Sequence, residues 1–280
     1  RNRNRSKMKR TVVFFSVLLL SLSMGAQQFA WKTVEMDGSR TGCSAPGADN
    51  VEEALGRVEG RSYYAPNGRV YRKGSVPRVA ATVIAAQPAM ADLKQVVGFS
   101  ERGMSSRGGN TPLANFATDA MLECSESIFG VRADLAILNS GGIRASVPKG
   151  KVLKDDIVSI FPFRNYIVLV EWPGSVLLNY LERQAVRYPQ PVAGVEMHIR
   201  DHKLVSASIG GKAIDPDAIY RLVTIDFLLG SGDNMRLAEG ARDIRRTQVL
   251  VFDVIMDRIN ALTAAGKTLD AAEDGRVVFE

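Results

Sequence analysis

Short apolar runs alternate with longer amphipathic stretches from residue 79 to the end of the chain. A short apolar run bounded by turn residues predicts a buried strand, and apolar residues spaced three and four apart predict a helix. The predicted strands are residues 95–100, 134–138, 165–171, 194–199, 203–209, 219–228 and 276–279. The predicted helices are residues 79–95 with a break near Pro88, 112–129, 154–160, 174–187 and 249–265.

One pair of these elements indicates the fold class. Residues 194–199 and 203–209 alternate between apolar and polar positions around Arg200-Asp201-His202, which predicts an antiparallel hairpin with one solvent-exposed face. A hairpin among interleaved helices and strands makes the sheet mixed. We therefore predict an α+β fold, a mixed sheet with layered helices, rather than a doubly wound parallel fold.

Residues 27–78 have a different, turn-rich character and are predicted to form an N-terminal extension before a main domain of residues 79–280. Residues 62–64 and 69–71 flank an Asn67-Gly68 turn and predict a hairpin. Asp49 is expected to cap a short helix that runs to Val58, because acidic residues follow in its first turn. No chemistry is predicted here, and the extension is expected to pack on the main domain or on a partner.

The first 26 residues have the pattern of a secretory signal peptide. Residues 1–10 carry six basic residues and no acidic one, and an apolar run then leads to Met24-Gly25-Ala26. The run is shorter than the about 20 residues that a transmembrane helix needs. We therefore expect export, with cleavage after Ala26 and a periplasmic or cell-surface location. Met8 is a second candidate for the start of translation.

The charge and the cysteine content exclude few classes of function. The chain has 36 basic and 30 acidic residues, and removing the six basic residues of residues 1–26 leaves 30 of each. A balanced chain does not indicate binding to nucleic acid, which favours a net basic face. The two cysteines, Cys43 and Cys124, lie in unlike contexts. Two alternatives remain for them. An oxidising compartment permits a disulfide between them, and two free thiols are the favoured alternative.

Three loops hold the candidate chemistry. Asn139-Ser-Gly-Gly-Ile-Arg144 follows a predicted strand, and its glycines allow the backbone to approach a ligand closely. Phe161-Pro-Phe163-Arg-Asn165 comes about twenty residues later, and Phe227-Leu-Leu-Gly-Ser-Gly-Asp233 follows another predicted strand. These loops lie at the ends of secondary-structure elements, where binding residues concentrate. The candidate binding residues are Arg107, Asn139, Arg144, Phe163, Phe227 and Asp233.

These ordered motifs, spread over residues 97–252, resemble the C-terminal domain of the 5′-nucleotidase family of metal-dependent hydrolases. The resemblance implies that Phe163 and Phe227 clamp a nucleobase and that Asp233 meets the ribose. It also implies that arginines reach toward the phosphate and an adjacent metal centre. Arg144 and Arg107 are assigned to that role, with Arg107 ranked above Arg102.

Two departures from the family pattern leave the identity of the substrate open. The usual Gly-Gly-Asp-Gly is replaced by Ser231-Gly-Asp-Asn234, and the usual Pro-Phe-Gly-Asn carries Arg164 in place of its glycine. Beside a stacking ring, Arg164 either adds a phosphate contact or partly blocks the base slot.

The sequence does not supply a metal centre of its own. A dinuclear hydrolytic site needs several His, Asp and Asn ligands, and this chain has two histidines, His198 and His202, predicted to flank a hairpin turn. No nucleophile elbow or phosphate loop is present either. We therefore expect no catalytic residue and no metal on this chain, with divalent metals carried by a separate metallophosphatase chain.

The sequence thus predicts the substrate-recognition half of an exported 5′-nucleotidase-type hydrolase, which binds the base and ribose of a nucleotide. A free-standing periplasmic binding protein for nucleosides or nucleotides is the alternative, and a structural remnant without a ligand is the third hypothesis. Nucleic acid is not an expected partner.

Overall fold

The computed structural model describes residues 50–106, 110–187 and 189–280. The predicted signal peptide, Asp49, Cys43 and Arg107 lie outside the described residues. Within them the helices and strands interleave along the chain. The helices are α1 (Val51–Leu55), α2 (Val76–Ala86), α3 (Pro112–Phe129), α4 (Lys154–Ile160), α5 (Gly174–Ala185) and α6 (Val251–Ala264).

The strands in the described part of the chain belong to four sheets. They are β1 (Arg57–Glu59), β2 (Ser62–Tyr64), β3 (Val70–Tyr71), β4 (Val96–Ser100), β5 (Leu135–Ile137), β6 (Gly150–Leu153), β7 (Tyr166–Pro173), β8 (Val192–Ala193), β9 (Val195–Arg200), β10 (Lys203–Ile209), β11 (Lys212–Ala213), β12 (Ile219–Ile225), β13 (Asp243–Leu250) and β14 (Val277–Phe279).

The central sheet is mixed and has the order β13-β7-β12-β5-β8. Strand β7 pairs antiparallel with β12 and with β13, whereas β12 pairs parallel with β5. A second sheet has the order β11-β10-β9-β14, in which β9 and β14 are parallel. The predicted α+β class with a mixed sheet is confirmed. The central strand β5 is fully buried, as its apolar sequence requires.

Local signals in the sequence explain several of these elements. Thr111 caps α3, with its hydroxyl oxygen accepting a hydrogen bond from the Ala114 amide at 3.2 Å. The predicted β9–β10 hairpin is confirmed. Its turn residues Asp201 and His202 have φ values of 50° and 60°, the left-handed pair of a two-residue hairpin turn. His198, on β9, lies 3.6 Å from a Glu280 carboxylate oxygen.

The region before residue 96 differs in part from the prediction. The β2–β3 hairpin is confirmed, but the helix expected to run to Val58 ends at Leu55. The reason is Gly56, which has φ 74° and lies so close to Tyr64 that an added Cβ would sit 2.1 Å from the Tyr64 carbonyl oxygen. The chain then turns into β1, which pairs with β2. Helix α2 begins at Val76, three residues before the start predicted at residue 79.

The structure also contains strands that the sequence pattern did not predict, namely β1, β6, β8, β11 and β13. Strand β13 is an edge strand with a mostly polar sequence, so its membership of the sheet comes from pairing with β7. Among the described residues, no helix has the length and apolar character needed to cross a membrane.

Cys124 lies on α3 and is partly buried. Its thiol donates to the Met121 carbonyl oxygen at 3.1 Å, and burial raises the pKa of Cys124 to about 12. A thiol with this pKa stays protonated at neutral pH and reacts slowly. The question of its pairing with Cys43 involves a residue outside the described part of the chain.

Two large buried side chains pack together between the central sheet and α5. The rings of Trp172 and Tyr180 lie 5.4 Å apart between centroids. The Trp172 indole N–H donates to the Leu237 carbonyl oxygen at 3.1 Å. The Tyr180 hydroxyl has no hydrogen-bond partner among the described residues, and burial raises the pKa of Tyr180.

We expect Tyr180→Phe to increase the free energy of unfolding by about 1 kcal/mol, because an unpaired buried hydroxyl costs about 1–3 kcal/mol in lost solvation. Urea denaturation measures this change. Tyr220→Phe is the matched control, since the Tyr220 hydroxyl accepts a hydrogen bond from the Asp215 amide at 2.9 Å and its removal should be destabilising. A loss of stability in Tyr180→Phe similar to that of the control would contradict the expectation.

Candidate functional site

Two neighbouring strands of the central sheet bring the candidate loops together. Strands β5 and β12 are parallel, with Leu222 paired to Leu135. Their carboxyl ends therefore meet at one edge of the sheet, where ligands of mixed and parallel sheets commonly bind. After β5 the chain forms a 3-10 turn at Ser140–Gly142, and after β12 it forms another at Asp226–Leu228. The two predicted binding loops thus lie side by side.

A short hydrogen bond joins these two loops. The Asn139 side-chain amide donates to the Asp233 carboxylate at 2.6 Å. Asn139 is 3% exposed, and its carbonyl Oδ1 is buried without a hydrogen-bond partner among the described residues. A buried polar atom without a partner is costly, so its presence at a cleft suits a donor supplied by a ligand or water.

Glycines allow the close contact between Asn139 and Asp233. A Cβ at Gly141 would lie 2.9 Å from the Asp233 carboxylate, and one at Gly142 would lie 2.8 Å from the Asn139 Oδ1 atom. The Asn-Ser-Gly-Gly turn therefore has its glycines where side chains would push the polar pair apart. The Ser140 amide donates to the Gln190 side chain at 2.8 Å, which fixes the turn from its other side.

Phe227 is held by its immediate neighbours. The Asp226 carboxylate accepts hydrogen bonds from the Phe227 and Tyr166 amides, both at 2.9 Å, which fastens the turn to strand β7. Gly232 packs against Phe227, and a Cβ there would lie 2.8 Å from a carbon of its ring. The Phe227 side chain nevertheless remains 48% exposed. The ring is fixed in place with one side open.

Phe163 approaches the same cleft from the segment that follows α4. The Arg144 amide donates to the Ile160 carbonyl at 2.9 Å, and the Val251 amide donates to the Asn165 carbonyl at 3.1 Å. These bonds fix both ends of the segment against neighbouring elements. Phe163 is 49% exposed and lines the cleft.

The loop that carries Asp233 has a strained backbone. Asp233, Asn234 and Arg236 have φ values of 47°, 59° and 51°. The left-handed conformation is uncommon outside glycine, and Asn and Asp tolerate it best. The substitution of Asn234 for the glycine of the family pattern is compatible with this backbone. Such residues cluster at ligand-binding sites.

Together these loops form an open cleft of about 170 Å³. Of the six predicted binding residues, the cleft brings together Asn139, Phe163, Phe227 and Asp233. Arg144 is exposed beside it, with its guanidinium donating to the Gly141 carbonyl at 3.2 Å. Arg107 lies outside the described residues. The other lining residues are Gly141, Gly142 and Asn165.

Two residues that contribute to the site were not among the binding residues predicted from the sequence. Asn165 lines the cleft although it was noted only as part of the Phe-Pro-Phe motif. Asp226 positions Phe227 through backbone hydrogen bonds. An acidic residue directly after a buried strand and before an aromatic residue was the available signal for Asp226.

The described residues do not fit a metal centre. In residues 50–106, 110–187 and 189–280, no three His, Cys, Asp or Glu side chains lie close enough together to hold a metal ion. The donors that line the cleft are one carboxylate and two amides, and both histidines belong to the β9–β10 hairpin and its turn.

The fold and the cleft place the chain among α+β domains with an open site at the carboxyl edge of a mixed sheet. Two aromatic rings, a carboxylate and a buried amide line that site. The sequence model of the family described as "5′-nucleotidase, C-terminal domain" matches residues 90–240. The chain belongs to this family.

Individual relatives agree with this assignment. The 5′-nucleotidase of Vibrio cholerae is 35% identical over 108 residues, which cover 36% of this chain and 19% of that protein. The trifunctional nucleotide phosphoesterase protein YfkN of Bacillus subtilis is 27% identical over 188 residues, covering 61% of this chain and 12% of that protein. The chain therefore spans less than a fifth of the length of these curated relatives.

A solved structure shows the same fold. The 5′-nucleotidase precursor of Thermus thermophilus superposes with a TM-score of 0.64 at 24% identity, covering 77% of this chain and 45% of that protein. At this level of identity the similarity concerns the fold alone.

Proposed function

We propose that this chain is the substrate-recognition part of an exported 5′-nucleotidase-type hydrolase in nucleotide breakdown, and that it binds the base and ribose of a nucleotide. The observation that carries the proposal is that Phe163, Phe227 and Asp233 line one cleft in a member of the 5′-nucleotidase C-terminal family.

The two rings supply the affinity for the base. Phe163 and Phe227 are each about half exposed, at 49% and 48%, and both face the cleft. A nucleobase that stacks on aromatic side chains gains about 1–3 kcal/mol per base. Asn165, which also lines the cleft, offers an amide that donates and accepts hydrogen bonds. The base contacts are therefore mainly apolar, with one amide to orient it.

The polar pair supplies the contact with the sugar. Asp233 has one carboxylate oxygen bonded to Asn139, so the other is available to accept from ribose hydroxyls. Asn139 positions Asp233, and its free Oδ1 is suited to accept a further donor from the ligand. The proposed role of Asn139 is thus to orient the carboxylate as well as to touch the ligand.

Arginines supply the contact with the phosphate. Arg144 is exposed beside the cleft, with its guanidinium tied to the Gly141 carbonyl. A guanidinium presents several donors to phosphate oxygens. Arg107 is proposed to add a second such contact.

The metal ions are proposed to belong to a separate metallophosphatase chain. Within residues 50–106, 110–187 and 189–280, no three His, Cys, Asp or Glu side chains lie together to hold one. When bound to the separate chain, divalent metals supply Lewis acidity and an activated water. The residues of this chain bind the nucleoside and orient its phosphate toward that partner.

Phosphate release from AMP tests the proposal. The purified chain is mixed with a separately expressed metallophosphatase chain, in the presence of Mn²⁺. We expect the mixture to release phosphate at least about tenfold faster than either component alone, which corresponds to about 1.4 kcal/mol of the activation barrier.

Calorimetry with adenosine distinguishes the remaining hypotheses. If adenosine binds but no metallophosphatase chain gains activity, the free-standing binding protein replaces the proposal. If neither adenosine nor AMP gives a binding signal, the nucleoside cleft itself is wrong.

A further inference from the structure

A second surface lies far along the chain from the nucleoside cleft, on the small three-stranded sheet. Helix α2 packs one side on strands β1 and β2, with Pro77 buried. On its adjacent side Val76, Val79 and Val83 are 40%, 55% and 43% exposed. These residues are spaced three and four apart, so they form one stripe along the helix.

The valine stripe borders a groove rather than a flat surface. The groove has a volume of about 350 Å³. Leu55 and Tyr63 form its other wall, and Tyr63 is fixed because its hydroxyl donates to the Leu55 carbonyl at 2.8 Å. Among the described residues that line the groove, Tyr63 and Ser75 carry the hydroxyl groups and the others are apolar. The groove is suited to take apolar side chains that protrude from a partner.

The other edge of α2 is basic. A second groove of about 440 Å³ lies there, and the described residues that line it include four cationic side chains and no acidic one. These four residues are Arg61, Arg72, Lys73 and Arg78. None of them forms an ion pair with another described residue, whereas Glu52 and Glu59 both pair with Arg57. Residues 50–90 contain six basic and three acidic residues, in contrast to the balanced charge of residues 27–280.

We infer that α2 is a docking surface for another polypeptide that inserts apolar side chains between Val79 and Tyr63 and places acidic residues against Arg72 and Arg78. An apolar centre with a charged rim is the usual anatomy of such an interface. A partner that crosses the helix reaches both edges, because a helix is about 10 Å wide.

Two other occupants fit the observations less well. A second copy of this chain would bring one basic edge against another, and like charges in an interface are costly. A membrane surface favours a convex helix with Trp, Phe or Leu on its apolar face. The exposed apolar residues of α2 are valine and alanine beside a concave groove.

Fluorescence anisotropy with two synthetic peptides tests the inference. Both are amphipathic helices with leucines at i, i+3 and i+7. One peptide carries glutamates on its flanks, and the other carries lysines at the same positions. We expect the full chain to bind the glutamate peptide saturably, more weakly as salt rises, and not to bind the lysine peptide.

Variants locate the binding. Val79→Asp should lower the affinity for the glutamate peptide by at least about tenfold, because it disrupts the apolar centre. The double variant Arg72→Glu/Lys73→Glu should lower it by at least about tenfold as well, because it reverses the charge of the rim. The matched controls are Val205→Asp, at a valine 53% exposed on β10, and Lys212→Glu on β11. Neither control should alter binding, and circular dichroism checks that all variants are folded.

Several results would overturn the inference. Equal binding of both peptides, no saturable binding, or binding that both α2 variants leave unchanged would each do so. A dimer in sedimentation velocity that Val79→Asp dissolves would assign the surface to a second copy. Co-flotation with phosphatidylglycerol vesicles that Val79→Asp abolishes would assign it to a membrane.

Discussion

Phe227→Ala should lower the affinity for adenosine and AMP by about 5-fold to more than 100-fold, because stacking contributes about 1–3 kcal/mol per base. Isothermal titration calorimetry at constant salt measures the change. Phe163→Ala should have an effect of the same size, and the double variant should leave no measurable affinity for adenosine. The expected loss follows from removal of the ring faces between which the base is proposed to lie.

The comparison requires a phenylalanine of similar exposure outside the cleft. Phe99 on β4 is 49% exposed and does not line the cleft, so Phe99→Ala is the matched control. All three phenylalanines are half exposed, and their truncation should alter the free energy of unfolding by similar small amounts. If Phe99→Ala lowers the affinity for adenosine as much as Phe227→Ala does, the rings of Phe163 and Phe227 do not clamp the base.

Asp233→Asn should lower the affinity for adenosine by about 10-fold to 100-fold, because a hydrogen bond to a charged group contributes about 1.5–3 kcal/mol. Asparagine keeps the size of the side chain, tolerates the left-handed backbone at φ 47° and can still accept from the Asn139 amide. The change therefore removes the charge that is proposed to face the ribose, while preserving the loop.

The ligand 2′,3′-dideoxyadenosine completes the test, since it lacks the hydroxyls that Asp233 is proposed to bind. We expect it to bind the wild type weakly and to bind Asp233→Asn with nearly the same affinity. Calorimetry of both ligands on both proteins gives the coupling between the carboxylate and the hydroxyls. Equal losses for the two ligands would show that Asp233 acts on the cleft as a whole and not on the ribose.

The nucleoside cleft and the α2 surface are separate features, and their tests do not depend on each other. Loss of adenosine binding in Phe227→Ala leaves the peptide assay on α2 unchanged, and Val79→Asp should leave adenosine affinity unchanged. If the partner of α2 is the proposed metallophosphatase chain, Val79→Asp would instead reduce phosphate release by the mixture.

The sequence by itself determined the fold class and most of the elements after residue 95. Apolar period and capping residues act over a few neighbouring positions, so they specify α3, α5 and the β9–β10 hairpin directly. The motifs at Asn139, Phe163 and Phe227 also identified the loops of the cleft.

Only the tertiary structure decided which of those residues share a site. Asn139 and Asp233 are 94 residues apart and meet because β5 and β12 are parallel neighbours. Strand β13 and the early end of α1 likewise depend on contacts with β7 and Tyr64 that no local pattern contains. The spacing of apolar residues and the secondary-structure propensity describe the conformation that a segment favours on its own. Strand pairing and close backbone contacts depend instead on residues that are distant in the chain.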